Sequence, residues 1–115
     1  MSITIKLKSL NIAILNYKAM NGNPNYRFIT QLEVPPQFRR QGIAHRLLTQ
    51  ACQLADQEHF TMFIYIMPTK EMSRYYILKM LKKHQFFLLN YQTMVRPYGD
   101  QPNLAQILTN YETEE

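Results

Sequence analysis

Leu32-Glu33-Val34-Pro35-Pro36-Gln37-Phe38-Arg39-Arg40-Gln41-Gly42-Ile43-Ala44 marks the decisive change of pattern in the chain. Tyr26 to Val34 reads as a strand, with Tyr26, Phe28, Leu32 and Val34 on one face and Arg27, Gln31 and Glu33 on the other. The proline pair ends that strand, because neither ring nitrogen can donate to a ladder. From Gly42 to Glu58, Ile43, Leu47, Ala51, Leu54 and Ala55 then recur at helical spacing and leave Arg46, Gln50, Gln53 and Gln57 outward. The junction is strand, basic loop, helix. A helix N-terminus offers unpaired amides and a partial positive charge, so this corner predicts an anion site that suits a diphosphate. Gly42 lets the main chain approach a phosphate without a Cβ, Ala44 keeps the first turn slim, and Arg39 and Arg40 add charge at the mouth.

Working outward, Ile3 to Leu7 alternates in strand fashion and Ile12 to Tyr17 forms a second apolar stretch, which together predict a hairpin. Asn21-Gly22-Asn23-Pro24-Asn25 predicts the turn into the third strand. Downstream, Thr61 to Met67 reads as a buried strand stopped by Pro68. Thr69 caps a predicted helix from about Lys70 to His84, in which Ile77, Met80 and Leu81 form the inward stripe. Glu71 near its start and Lys79, Lys82 and Lys83 near its end complement the macrodipole. Phe86 to Val95 is strand-like, and residues 99–115 form a tail with a short amphipathic segment carrying Leu104, Ile107, Leu108 and Tyr111. The expectation is one α/β domain over residues 1–115, with a mixed, mostly antiparallel sheet flanked by helices in the order β-β-β-α-β-α-β.

The 115 residues have room for a single core, and 46% hydrophobic with 18% charged residues is an ordinary globular balance. No window is apolar for long enough to span a bilayer, and the alternating start does not read as a secretory signal, so an intracellular, cytoplasmic location and no membrane association are expected. Cys52 is the single cysteine, which excludes an internal disulfide; its helical surroundings make it a small hydrophobe. His45, His59 and His84 fit no metal spacing, so they read as surface residues and no metal is expected. A net charge of +5 favours an anionic partner. Lys79, Lys82, Lys83 and His84 read as a solvated helix end, because no stacking aromatics alternate with them as nucleic-acid binding would want.

Arg39, Gly42 and Ala44 fill the signature Gln/Arg, two residues, Gly, one residue, Gly/Ala, and here the sequence resembles the GCN5-related N-acetyltransferase (GNAT) superfamily. The leucine-x-valine-proline run before the loop and Leu47 and Leu48 in the helix after it resemble the family too, and the match runs from about Tyr26 to Pro97. The resemblance implies acetyl-coenzyme A as co-substrate and an amine acceptor. It implies that the pantetheine arm follows Leu32, Glu33 and Val34, that the backbone of Arg39, Arg40, Gln41, Gly42, Ile43 and Ala44 holds the pyrophosphate, and that Arg74 lies where it reaches a cofactor phosphate.

In the family a tyrosine of the second helix often supplies the acid, a few residues before a glycine-phenylalanine pair; that pair reads Gln85-Phe86 here and the tyrosine position falls on Leu81. The usual base positions fall on Phe28 and Thr30. Tyr75, Tyr76 and Glu33 are the remaining catalytic candidates, with Tyr91 as a further one and Tyr91 and Tyr98 as edges of an acceptor pocket. Three readings stay open: an acetyltransferase using water as relay, a non-catalytic coenzyme A-binding or protein-interaction module, and a basic nucleic-acid binder. Members usually carry a strand and two helices ahead of the hairpin. Their lack here implies an open acceptor side that suits a protein lysine or N-terminus, or a homodimer whose second subunit supplies a wall through Leu104, Ile107, Leu108 and Tyr111.

Overall fold

Alternating and β-branched segments at both ends of the chain assemble into one sheet around the parallel pair that the central helix connects. A computed structural model describes residues 2–7, 10–35, 37, 41–70 and 72–114. The elements are β1 (Ser2–Leu7), β2 (Leu10–Met20), β3 (Asn23–Glu33), α1 (Ile43–Glu58), β4 (Thr61–Tyr65), α2 (Arg74–Lys82), β5 (Phe87–Asn90), β6 (Thr93–Arg96) and α3 (Leu104–Glu114). The sheet order is β1-β2-β3-β4-β6-β5, with β3 and β4 parallel and every other pair antiparallel. This is the mixed, mostly antiparallel α/β architecture that the sequence predicts.

Several boundaries differ, each for a local reason. The turn before β3 is only Asn21-Gly22, both at positive φ (51° and 75°), and this two-residue form matches strand twist so well that Asn23 and Pro24 already belong to β3. The predicted strand over Phe86 to Val95 is the hairpin β5–β6; no glycine or proline marks its turn, where the Asn90 side chain accepts from the Gln92 amide at 2.9 Å. Helix α2 begins at Arg74, because Ser73 is the residue whose hydroxyl accepts from the Tyr76 amide, 3.2 Å away. Thr69 closes a separate turn through the Met72 amide, and Glu71 lies outside the described residues. At the other end of α2, Gln85 takes φ +70°, a conformation that favours glycine.

Both faces of the sheet are covered. Leu47, Leu48 and Ala51 of α1 and Ile77, Met80 and Leu81 of α2 pack on one face against Leu15, Tyr17 and Met62. On the other, Leu104, Leu108 and Tyr111 of α3 pack against Met20, Phe28, Phe63 and Val95, with the Tyr111 and Phe28 rings stacked at 5.3 Å. The tail expected over residues 99–115 is therefore largely a core helix, and Leu104, Leu108 and Tyr111 are buried against their own sheet instead of facing a second subunit. Arg27, expected on an outward strand face, is also buried: its guanidinium lies 3.8 Å from the Phe60 ring centre and pairs with Glu58 at 3.0 Å. Truncating Leu108 to Ala should cost about 2–5 kcal/mol in urea unfolding, whereas Gln106→Ala on the exposed side of α3 should stay within about 0.5 kcal/mol.

The first turn of α1 is tied to the end of α2. His45 Nδ1 lies 2.9 Å from His84 Nε2, so neither imidazole is the isolated surface residue expected, whereas His59 is exposed and ends α1. Burial, then the nearby charges of His45, Arg96 and Lys83, push the His84 imidazole below its ordinary 6.5. The folded protein thus disfavours the protonated form, so the stabilisation is complete above that value and is lost as the unfolded chain gains the proton below it. The melting temperature should fall as the pH drops below the ordinary 6.5 of the imidazole, and His84→Asn should flatten that slope in thermal scans.

Candidate active site

A single extra residue builds the site. Asn16 opposes Gln31 and Tyr17 opposes Ile29, so Thr30 is a bulge in β3 with no counterpart on β2. The bulge reverses the facing of the residues beyond it: Phe28 points to the α3 side, while Ile29 and then Leu32 and Val34 point to the α1/α2 side. Leu32 and Val34 therefore do not share the face of Tyr26 and Phe28 that strict alternation predicts. A bulge also bends its strand, and the parallel pairing of β3 with β4 runs only from Tyr26↔Thr61 to Ile29↔Ile64. β4 then keeps to the other side, where the Ile66 amide donates to the Gln92 carbonyl at 2.7 Å. From Thr30 to Glu33, β3 has no strand partner on its β4 side among the described residues.

A cavity of about 340 Å³ fills this fork. Leu32, Met72, Ile77, Met80 and Leu81 line it on the α1/α2 side, and Lys18, Phe28, Tyr65 and Tyr111 line it on the α3 side. It therefore joins the two faces through the sheet. On the first side, an extended ligand can pair with the open strand edge as a further strand would. The chain runs from that edge to Gly42, at φ 74° and ψ 12°, which precedes α1 without any side-chain cap. The amides of Ile43, Ala44 and His45 come before the first intrahelical bond, from Arg46 to the Gly42 carbonyl at 3.0 Å. A Cβ on Gly42 would meet nothing within 4 Å, so this amide corner opens to space.

Among the residues singled out from the sequence, Leu32 lines the cavity, Val34 packs against the adjoining core, and Gly42, Ile43 and Ala44 form the amide corner with Gln41 exposed beside it. Arg39 and Arg40 lie outside the described residues. Glu33 is exposed, accepts from Gln31 Nε2 at 2.6 Å and does not line the cavity. Arg74 is engaged elsewhere: its guanidinium covers the Tyr91 ring at 3.9 Å and donates to the Tyr91 carbonyl. Tyr75 is 74% exposed, and neither it nor Tyr76 lines the cavity, because Ile77 and Leu81 occupy the inward face of α2. Tyr91 is exposed on the β5–β6 turn, and Tyr98 stacks on His59 at 4.7 Å beside Thr61, at the far end of β4 from the fork. Cys52 is buried with its thiol pushed upward, chiefly by that burial, which fits a packing role.

Polar groups that sequence reasoning missed stand on the α3 side. The Tyr65 hydroxyl donates to Glu112 Oε2 at 2.6 Å, and Lys18 Nζ lies 5.5 Å from the centre of the Tyr111 ring. Only the packing of α3 against the sheet brings these four residues together, and no spacing in the sequence signals it. No group of three or more His, Cys, Asp or Glu able to hold a metal occurs among the described residues, and no helix among them is long and apolar enough to cross a membrane.

Comparison with known proteins agrees with this fold. No curated protein sequence matches the chain. Among solved structures, the ribosomal-protein-S18-alanine N-acetyltransferase from Escherichia coli is similar with a TM-score of 0.73 at 11% identity, over 90% of this chain and 72% of that one. The PaiA N-acetyltransferase from Thermoplasma acidophilum, solved with coenzyme A, gives 0.68 at 16% over 85% and 60%. The anti-CRISPR protein AcrVA5 gives 0.62 at 18% over 82% and 96%. At these identities the likeness is one of fold. The model of the acetyltransferase (GNAT) family matches residues 11–81, more than half of the chain, and the chain belongs to that family.

Proposed function

We propose that the protein transfers an acetyl group from acetyl-coenzyme A to a primary amine by direct attack. The observation that carries this reading is the fork itself: an open strand edge leads from a cavity through the sheet to an uncapped helix N-terminus whose glycine leaves room for a ligand. These features match the parts of the co-substrate in order. The edge of Thr30 to Glu33 suits the amides of the pantetheine arm, and the amides of Ile43, Ala44 and His45 suit the pyrophosphate, with Arg39 and Arg40 adjacent in sequence. The PaiA enzyme, solved with coenzyme A, shares the fold.

The acceptor then enters from the α3 side, across Phe28, Tyr65 and Tyr111. An ammonium must first lose a proton. On that side the Tyr65 hydroxyl held by Glu112 offers a polar relay, and this pair takes the catalytic role for which Tyr75, Tyr76 and Glu33 are badly oriented. The neutral nitrogen attacks the thioester carbonyl carbon, it loses its second proton to water as the carbon–sulfur bond breaks, and the leaving thiolate is protonated by water, since Leu81 offers no proton on that side. Acetyl amide, coenzyme A thiol and one released proton balance the reaction.

Calorimetry with coenzyme A, combined with thiol release over a panel of amines that includes lysine peptides and free peptide N-termini, tests the reading. Coenzyme A should bind and at least one amine should release thiol; no binding at millimolar coenzyme A overturns the proposal, and binding without thiol release reduces the protein to an inert module. Gly42→Val should weaken coenzyme A about tenfold or more by filling the amide corner, and should cost about 1–2 kcal/mol in stability from its positive φ. Tyr65→Phe should lower kcat about 10²-fold or more while coenzyme A affinity stays at the wild-type value.

A further inference from the structure

We propose that Lys18 is a site of self-acetylation, in which the chain's own amine occupies the acceptor side of the fork and takes an acetyl group from acetyl-coenzyme A bound on the other side; this rests on the acetyltransferase reading above. Lys18 lies on β2 opposite Phe28 of β3, and directly opposed residues of an antiparallel pair project from the same face. Phe28 immediately precedes Ile29, the last β3 residue paired with β4, so it stands at the apex of the fork. Lys18 thus projects on the α3 side at the level where the cavity passes through the sheet, and it lines that cavity with Phe28, Tyr65 and Tyr111. Its ammonium lies 5.5 Å from the centre of the Tyr111 ring, itself part of the cavity lining.

Lys79, Lys82 and Lys83 lack this setting, being exposed at the end of α2 and lining no part of the cavity. An amine tethered beside a bound thioester reacts as a unimolecular partner, and effective molarities for such arrangements far exceed any concentration of free amine. The steps balance as for an outside acceptor. The Lys18 ammonium gives up one proton, its neutral nitrogen forms a bond to the thioester carbonyl carbon, the nitrogen loses a second proton to water as the carbon–sulfur bond breaks, and the thiolate takes a proton from water. The products are Nε-acetyl-Lys18, coenzyme A thiol and one released proton. The modification also removes a positive charge from the mouth that a cationic acceptor must pass.

Peptide mapping by mass spectrometry after incubation with acetyl-coenzyme A tests this, with Lys79 as the internal reference for spontaneous acetylation. Lys18 should be acetylated about tenfold or more faster than Lys79, at a first-order rate unchanged by dilution of the protein and suppressed by excess coenzyme A. Lys18→Arg should remove the fast acetyl group from the intact mass. Equal rates at Lys18 and Lys79, or a Lys18 rate that falls in proportion to protein concentration, overturns the proposal. If coenzyme A binds and an outside amine is acetylated while Lys18 stays unmodified, self-acetylation fails and the transferase reading stands. If coenzyme A does not bind at all, both fail together.

Discussion

The whole site depends on Thr30, the residue by which β3 exceeds its partner β2. A strand with a regular register would continue beside β4, keep Phe28 and Leu32 on one face and leave no opening. The added residue bends β3, reverses the facing of Leu32 and Val34, and ends the pairing with β4 at Ile29. Strand separation, cavity and open edge are three results of one local irregularity. β-bulges recur where a strand must re-aim its side chains beside a site, and this one sits at the parallel pair of the sheet.

A parted pair of strands weakens a sheet unless its other contacts hold it, and the chain concentrates those contacts away from the fork. Arg27 pairs with Glu58 and stacks on Phe60, and Arg96 reaches both Asp56 carboxylate oxygens at 3.1 and 3.2 Å and Gln85 at 3.1 Å. Both arginines are buried, and both carboxylates lie in the last turn of α1. Loss of one partner would leave a buried cation uncompensated, which is more costly than the pair is favourable. These pairs therefore fix the C-terminal end of α1 on the sheet. Its N-terminal end is held by Ile43 in the core and by the contact of His45 with His84, and the amides of Ile43, Ala44 and His45 precede the first intrahelical bond.

Local patterns carried most of the architecture. The proline pair, the helical period after Gly42 and the glycine at a position that takes φ 74° are properties of short stretches, so the strand-loop-helix corner was readable from the chain itself. Features that escaped reading depend on long-range pairing or on weak punctuation. The Thr30 bulge is located only when β3 is set against β2; the adjacent apolar pair Phe28-Ile29 and polar pair Thr30-Gln31 interrupt the alternation there but do not say which residue is extra. The β5–β6 turn lacks glycine and proline, so two short strands read as one. Arg27 reads as solvent-facing until Phe60 and Glu58 arrive from the end of α1. Tyr75 and Tyr76 look like candidates on composition, but the inward face of α2 belongs to Ile77, Met80 and Leu81.

Helix α3 carries the proposed chemistry for a related reason. Leu81 makes the α2 side of the cavity apolar, so the proposed reaction routes the acceptor's proton on the opposite side, where Tyr65 and Glu112 meet. That side exists because Leu104, Leu108 and Tyr111 bury α3 against Phe28 and Phe63, which also carries Glu112 to within 2.6 Å of the Tyr65 hydroxyl. One helix thus supplies the second core, the aromatic wall and the carboxylate. Packing and proton transfer cannot be varied independently there: a change that loosens α3 withdraws the carboxylate from the tyrosine as surely as a substitution at Glu112 removes it.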